Sequence, residues 1–462
     1  MTLDLALKKT LLPQLQSATK RPVFDDPSDC YAYGYDNSRR QALPDFVAFP
    51  ETADEVQALM KICYDAGLPV VARGRGTNTT GAVVPIMGGL VISFEHMDKI
   101  LKVDTANRVM VVQPGVLNDT VQIEAAKHGF FWAPDPSSSA TCAVGGNLAC
   151  NAAGPRALKY GSCRENTLGL KAITGKGEAI KTGVYTTKGA MAYDLTRLLI
   201  GSEGTLAVTT EATLKLTPLP ETKRTMEALY RTVDAAAESV SKIMAQSVIP
   251  CALEFVDKPC LDIIRNAGGT SYPTEAQALL IIEVDGAKAG IDEAMENVAQ
   301  AAQHAELITL QLAKSEKEVK DMWARRKALS PGLREIAPKK INEDVVVPVS
   351  HMPKFMRTLQ DFEKQYAIKI VNFGHAGNGN LHVNLLIDGD NPKDVENAEH
   401  CLNAIFDLVI SLDGCLSGEH GIGIEKRDFI KKAISPVTLQ YMREIKQVFD
   451  PKGIMNPGKC LP

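Results

Sequence analysis

The sequence predicts an α+β chain in two parts: a glycine-rich, ligand-binding first half and a second half in which helices cover an antiparallel sheet. Three observations lead there. A β-branched strand runs into a turn with three glycines, Pro69-Val-Val-Ala-Arg-Gly-Arg-Gly-Thr-Asn-Thr-Thr-Gly81. Two prolines in Thr217-Pro-Leu-Pro220 close the half that contains it. Beyond them strand and helix patterns alternate, which suits helices layered on one sheet.

Size and composition set the bounds. At roughly 150 residues per domain, 462 residues make two or three domains. A content of 45% hydrophobic and 23% charged residues is that of a globular protein with a sizeable core. The net charge of −4 gives no electrostatic footprint for nucleic acid. No apolar run reaches the ~18 residues of a membrane span. Met1 to Ser17 alternates apolar and charged positions like an amphipathic helix and lacks a signal-peptide core, so the expected location is cytoplasmic. Ten cysteines are scattered without a Cys-x-x-Cys, which argues against an iron–sulfur cluster or zinc ribbon.

In order, Met1 to Leu43 reads as a helical lead-in followed by an irregular segment. Phe46 to Phe49 is a short strand. Thr52 reads as an N-cap with Glu55 at the capping-box position, and Val56, Leu59, Met60 and Cys63 follow at helical spacing. The glycine turn comes next. Glycines at 74, 76 and 81 admit positive φ and close backbone approach, and Thr77, Asn78, Thr79 and Thr80 add short hydrogen-bonding side chains. Such a turn can cradle a pyrophosphate; an ordinary strand-end loop is the rival. It is neither a P-loop nor a Rossmann fingerprint. Leu90 to Phe94 and Arg108 to Gly115 are strand-like, and Asn118 to His128 is helical. Ala133 to Gly161 is dense in small residues, with Gly145, Gly146 and Gly154. It reads as a segment lining a large flat ligand, against the alternative of a flexible linker. Leu198 to Val208 holds a tight Gly-x-x-Gly turn ahead of a strand to Leu216. In the second half, strands are expected at Thr225–Tyr230, Pro250–Val256, Ala278–Val284 and Leu307–Leu312. Helices are expected at Val233–Gln246, Gly290–His304 and Ser315–Leu329.

The strongest chemical signal is Lys369-Ile-Val-Asn-Phe-Gly-His-Ala-Gly-Asn-Gly-Asn-Leu-His-Val-Asn384. Leu381, Val383, Leu385 and Ile387 alternate with His382 and Asn384, a period-two strand. A tight return brings His375 back towards His382, and two imidazoles converging at a glycine-rich turn suit a divalent metal. Loop histidines satisfied by the backbone are the alternative. Leu416-Ser-Gly-Glu-His-Gly-Ile-Gly423 sets Glu419, a candidate hard ligand, beside His420. An imidazole titrates near neutrality and suits a general base. Arg325 and Arg326 lie in a basic helical stretch that is either a solvated patch or, because a guanidinium recognises a carboxylate bidentately, a substrate contact.

The order of these blocks resembles the flavin domain of the vanillyl-alcohol-oxidase / p-cresol-methylhydroxylase (PCMH) superfamily. Ala72 to Gly81, Pro134-Asp135, Thr141 to Gly146, Gly154, Tyr160-Gly161 and Gly201 to Thr205 carry the likeness. Within it, the chain resembles the D-lactate / D-2-hydroxyglutarate dehydrogenase and glycolate-oxidase flavoprotein branch over nearly its whole length. The resemblance implies a two-subdomain PCMH-type FAD-binding domain at 44–219, preceded by a lead-in at 1–43. It implies an α+β capping domain with an antiparallel sheet at 220–425, and a segment at 426–462 that returns to the flavin domain. It implies FAD held by Arg73, Gly74, Arg75, Gly76, Thr77, Asn78, Thr79, Gly81, Pro134, Asp135, Thr141, Gly145, Gly146, Gly154, Tyr160, Gly161, Glu203, Gly204, Asn384 and Asn456. Relatives that attach the flavin use a histidine near the first loop; Arg73, Gly74 and Arg75 stand there, so the FAD is expected to be non-covalent.

The same resemblance implies a zinc or manganese ion on His375, His382 and Glu419, His420 as base, and Arg326 and Asn384 on the substrate. A D-2-hydroxy acid would lose hydride to flavin N5. Where 2-hydroxyglutarate enzymes place a lysine before the strand, this chain aligns Asn342, with Lys339 and Lys340 slightly earlier and Lys340 the candidate for a distal carboxylate. That tilts the expectation to D-lactate, with D-2-hydroxyglutarate and a glycolate-oxidase flavin subunit as alternatives. The implied partners are the small acid and an electron acceptor: a quinone, a cytochrome or an electron-transfer flavoprotein. A homodimer and a peripheral contact with the inner membrane are consistent with the branch. A non-redox use of FAD, as in the superfamily's ether-lipid synthase, is a further alternative.

Overall fold

The computed structural model describes residues 3–266, 272–333 and 336–462; residues 1–2 of the expected lead-in lie outside them. The chain divides into two compact units. The first comprises Met1–Ala153, Gly161–Leu219 and Glu419–Pro462; the second comprises Gly154–Tyr160 and Pro220–Gly418.

The first unit holds two main sheets. Strands β1 (Phe46–Ala48), β2 (Val70–Arg73) and β3 (Leu90–Ser93) form a parallel sheet in the order β1-β3-β2. Strands β4 (Ile100–Asp104), β5 (Val109–Val112), β7 (Thr167–Thr174), β8 (Ala179–Gly183) and β9 (Ala207–Lys215) form an antiparallel sheet in the order β4-β5-β9-β7-β8. A short ribbon pairs β6 (Phe130–Phe131) with β10 (Thr217–Pro218), just before the proline boundary. The parallel strands are flanked by helix Ala53–Ala66. Thr52 Oγ1 accepts from Glu55 N (3.2 Å), as a cap should, but Glu55 Oε2 accepts from Glu51 N (2.7 Å) rather than from the cap residue's own amide. The core of this part joins Leu11 and Leu15 of helix Leu5–Ser17 to Phe46, Val56, Leu59 and Ile92, and also to Ile454 and Met455 from the far end of the chain. Val70 N donates to Ile454 O (2.8 Å) and Asn456 N donates to Val70 O (2.7 Å), so the tail lies along the edge of β2.

The second unit is built on one sheet. Among the described residues it has seven antiparallel strands: β11 (Thr222–Tyr230), β12 (Ala252–Asp257), β13 (Ala278–Gly286), β14 (Leu307–Leu312), β15 (Lys339–Val346), β16 (Lys369–His375) and β17 (Asn380–Ile387). Their order is β14-β11-β13-β12-β16-β17-β15. Helices Val233–Ala245, Ile291–Ala301 and Glu316–Gly332 stand at the expected places. All eight positions of β17 are buried. Its alternation therefore separates two covered faces, one apolar and one polar, and not core from solvent. The short helix Ala157–Tyr160 belongs here too: Lys159 Nζ (2.5 Å) and Tyr160 Oη (2.7 Å) donate to the two oxygens of Asp285 at the end of β13. This departs from the expected placement of 154–160 in the flavin domain, and the return to the first unit begins at Glu419, ahead of the expected 426. Among the described residues no helix is long and apolar enough to cross a membrane.

Candidate active site

In the first unit the glycine turn leaves β2 at Arg73, whose side chain runs back into the protein. Its Nη1 donates to Tyr35 O (2.7 Å) and its guanidinium stands 5.9 Å from the Tyr33 ring, so the guanidinium is engaged within the protein. Arg75 is exposed. Gly76 and Gly81 take φ of +66° and +76°. Asn78 organises the turn. Its Oδ1 accepts from Thr80 N (2.8 Å), Thr80 Oγ1 (2.7 Å) and Ala82 N (3.3 Å), and its Nδ2 donates to His420 O (2.8 Å). The backbone of His420 is thus tied to the glycine turn within one unit. Ile424 N adds a bond to Thr80 O (2.8 Å). Glu203, at φ +53°, is buried, and its carboxylate accepts from Ile422 N (2.5 Å) and Gly423 N (2.8 Å). Burial pushes the Glu203 carboxyl up, against the pull of those amides and of Lys459 and Lys426.

The second small-residue block meets the turn closely. A Cβ on Gly74 would lie 3.4 Å from Ala143 Cβ and 3.6 Å from Gly146 N, at the start of helix Val144–Cys150. Gly145 is pressed against Pro114, where a Cβ would come to 2.7 Å, whereas Gly146 faces open space. Pro134 O accepts from Asn118 Nδ2 (3.0 Å), Asp135 N donates to Ala153 O (3.0 Å), and Thr141 Oγ1 donates to Ser138 O (3.1 Å). Gly161 and Gly204 have φ of +80° and +69°. Asn456 is a staple: its Nδ2 donates to Ala82 O (2.9 Å) and Glu203 O (2.6 Å), while its Oδ1 accepts from Lys459 Nζ (2.6 Å). Of the expected cofactor residues, then, Arg73, Asn78, Thr141, Tyr160, Glu203 and Asn456 bond through their side chains to the protein. Thr79 Oγ1 and Asn147 Nδ2 are buried without a protein partner, on the two stretches that Gly74 brings together. Orphaned polar atoms over a Cβ-free surface fit a dinucleotide.

In the second unit the chemistry lies on one face of the sheet. Register pairs Glu254 with His375, His382 with both Phe373 and Asp344, and Asn384 with both Val371 and Asn342. Side chains at alternate positions share a face, so Glu254, His375, His382, Asp344, Asn384, Asn342 and Lys340 all project from the same one. The turn Ala376–Gly379 returns the chain, and the rings of His375 and His382 stand 5.5 Å apart. His375 Nδ1 pairs with Glu254 Oε1 (2.5 Å), and Glu254 Oε2 takes Arg326 Nε (2.8 Å) and one Nη (2.7 Å). The Arg326 guanidinium lies 4.7 Å from the Phe373 ring. Burial pushes the Glu254 carboxyl up, but His375 and Arg326 outweigh it and hold the group below its ordinary value.

Around this core the remaining candidates are fixed. Asp344 accepts from Asn380 Nδ2 (2.6 Å), Gly418 N (2.8 Å) and Ser417 Oγ (3.2 Å), which clamps the chain up to the residue before Glu419. Asn384 Nδ2 donates to Val371 O and His382 O (3.1 Å each), leaving its buried Oδ1 without a protein partner. Lys340 Nζ donates to Ser330 Oγ (2.8 Å), and Arg325 donates to Glu227 (2.9 Å). The donor set fits a divalent cation: two imidazoles side by side, one backed by a carboxylate as metal-bound histidines usually are. Sequence reasoning overlooked Glu254, Asp344 and Glu227. A glutamate inside the apolar run Cys251–Val256 was the available signal, because a carboxylate at a fully buried strand position needs a partner.

By its family and relatives the chain is an FAD-linked oxidoreductase. Residues 219–460 match the C-terminal domain of FAD-linked oxidases and residues 44–183 match an FAD-binding domain, so the chain belongs to the FAD-linked oxidase family, with FAD as its cofactor. Among its relatives, the glycolate oxidase subunit GlcD of Bacillus subtilis is 39% identical over 98% of this chain and 97% of its own length. The D-lactate dehydrogenase of Archaeoglobus fulgidus is 35% identical over 94% of this chain and 96% of its own. The structure of p-cresol methylhydroxylase with substrate bound superposes with a TM-score of 0.81 over 99% of this chain and 97% of that one, at 16% identity, a likeness of fold.

Proposed function

We propose that the chain oxidises a D-2-hydroxy acid, with D-lactate as the first candidate, to the 2-oxo acid. The observation that carries this reading is the face shared by His375, His382, Arg326 and Asn384, where paired imidazoles adjoin a guanidinium. When bound, non-covalent FAD supplies the hydride acceptor, and a zinc or manganese ion supplies the Lewis acid that acidifies the substrate hydroxyl. His375 and His382 hold the ion together with Glu419, the residue that follows the clamped Gly418 in the chain. Arg326 orients the substrate carboxylate with the Nη edge that Glu254 does not occupy. Asn384 Oδ1 accepts a hydrogen bond from the substrate. His420, with its backbone held by Asn78, takes the hydroxyl proton. The engagement of Lys340 by Ser330 favours an acid without a distal carboxylate over 2-hydroxyglutarate. Electrons then pass to a quinone, a cytochrome or an electron-transfer flavoprotein.

Identity to a glycolate oxidase subunit favours a second reading, that of a flavin subunit which works only within a complex. Anaerobic bleaching of the flavin by D- and L-lactate, glycolate, malate and 2-hydroxyglutarate tests both. Reduction of the purified chain by D-lactate alone is the expected result, and no reduction by any acid refutes it. His420→Ala should abolish bleaching with FAD retained, and His382→Ala should lose bound metal. Unchanged metal content in that variant removes His382 from the ligand set.

A further inference from the structure

We infer that Glu254 is a positioning residue that governs both the metal ligand and the substrate-binding arginine, an inference that rests on the reading above. Glu254 is fully buried on β12, opposite His375 in the register. Each of its oxygens serves a different element. Oε1 meets His375 Nδ1, so an ionised Glu254 selects the tautomer with the proton on Nδ1 and the lone pair on Nε2. Oε2 takes Nε and one Nη of Arg326 from the same edge, which turns the other Nη away from Glu254. The guanidinium also stacks over the Phe373 ring, 4.7 Å from its centre, which favours that orientation.

A carboxylate kept only to fasten helix Glu316–Gly332 would be redundant here. Arg325, the neighbouring residue, already ties that helix to Glu227 on β11, supported by Tyr272, whose hydroxyl donates to the same Glu227 oxygen (2.7 Å). The two groups differ in the second partner: Glu227 holds an arginine and a phenol, whereas Glu254 holds an arginine and an imidazole. Glu227→Gln is therefore the matched structural control.

The experiment compares Glu254→Gln, Glu254→Asp and Glu227→Gln in the full-length flavoprotein. Zinc affinity is read by competition with a chromophoric chelator, and KM and kcat for D-lactate are read with an artificial acceptor. An amide cannot accept from both partners at full strength. Glu254→Gln should weaken zinc by about 10–100-fold and raise KM at least about tenfold, with FAD content unchanged. Glu254→Asp should restore part of both, and Glu227→Gln should leave both within about twofold of wild type. Zinc affinity and KM within twofold of wild type in Glu254→Gln overturn the inference, as do equal losses in Glu227→Gln. Wild type that binds no zinc overturns the metal reading itself and takes this role with it; zinc held equally by wild type and Glu254→Gln overturns this role alone. Should Glu254→Gln fail to fold, 15N spectra of histidine-labelled wild type at pH 8 decide the matter. A His375 resonance protonated at Nδ1 supports the assignment, and one protonated at Nε2 refutes it.

Discussion

Replacing Asp257 by asparagine should change how the second unit responds to pH. Asp257 ends β12, fully buried. Its Oδ2 accepts from Asn372 N (2.5 Å) and Nδ2 (3.2 Å), and its Oδ1 accepts from Cys260 N (3.2 Å). These are amide donors without a cation, and burial outweighs them, pushing the carboxyl from 3.8 up to about 7. A carboxyl raised in the folded state keeps its proton after the unfolded chain has lost it. Its stability contribution is therefore complete below about pH 4 and is lost as pH rises to about 7. At 1.36 kcal/mol per unit, the interval from 3.8 to about 7 amounts to on the order of 4 kcal/mol at most. Asparagine is neutral throughout, but it surrenders one acceptor among three amide donors, a loss of about 1–2 kcal/mol. The net expectation is a gain of about 2 kcal/mol over wild type at pH 8 and a loss of about 1–2 kcal/mol at pH 4. The assay is urea unfolding followed through Trp323, which lies in the second unit, at pH values between 4 and 8. Parallel stability-versus-pH curves for wild type and Asp257→Asn would refute the reasoning.

Three further outcomes follow from the flavin unit. Asn78→Asp keeps the acceptor that shapes the glycine turn but sets an oxygen against His420 O; flavin reduction should slow by about tenfold or more with FAD retained. An unchanged rate would detach His420 from that anchor. Gly146→Ala faces open space in a helix and should leave the apoprotein as stable or up to about 1 kcal/mol more so, yet weaken FAD, whereas Gly145→Ala meets Pro114 and should destabilise the apoprotein itself; fluorescence titration of FAD and thermal melts separate the two. Burial lowers the Lys459 ammonium from 10.5 to about 8, so the unfolded chain binds the extra proton between those values and stability should rise with pH across that window, by about 3 kcal/mol at most. Lys459→Met should flatten that rise in alkaline urea titrations, and a slope identical to wild type would count against it.

Much of the site is readable from local pattern. Glycines 76 and 81 announce a turn because few other residues adopt their positive φ. His375 and His382 announce a convergence because the glycine turn between them is short and the following strand alternates strictly. What sequence hides is the partner of each group. Glu254 reads as one polar residue in an apolar strand, while its two partners lie 72 and 121 residues away. Arg73, set among cofactor-binding glycines, gives its guanidinium to a carbonyl 38 residues earlier. Residues 154–160 look continuous with the flavin half, yet they belong to the other unit, where Lys159 and Tyr160 bond an aspartate at the end of β13 and Leu158 packs against Gly377. Spacing reports which backbone shapes are allowed; it carries no record of contacts made across the sheet.

The bond between Val70 and the Ile454–Asn456 segment imposes an order on biosynthesis. Apart from seven residues, the second unit is one continuous stretch and can mature while the ribosome is still working. The flavin unit cannot, because an edge of its parallel sheet and part of its core wait for Ile454–Asn456. At about 5–20 residues per second, the nascent first half waits roughly 12–50 seconds between the emergence of residue 220 and that of Asn456. Flavin capture therefore waits for the Ile454–Asn456 segment, and a nascent chain stalled before Ile454 should bind none.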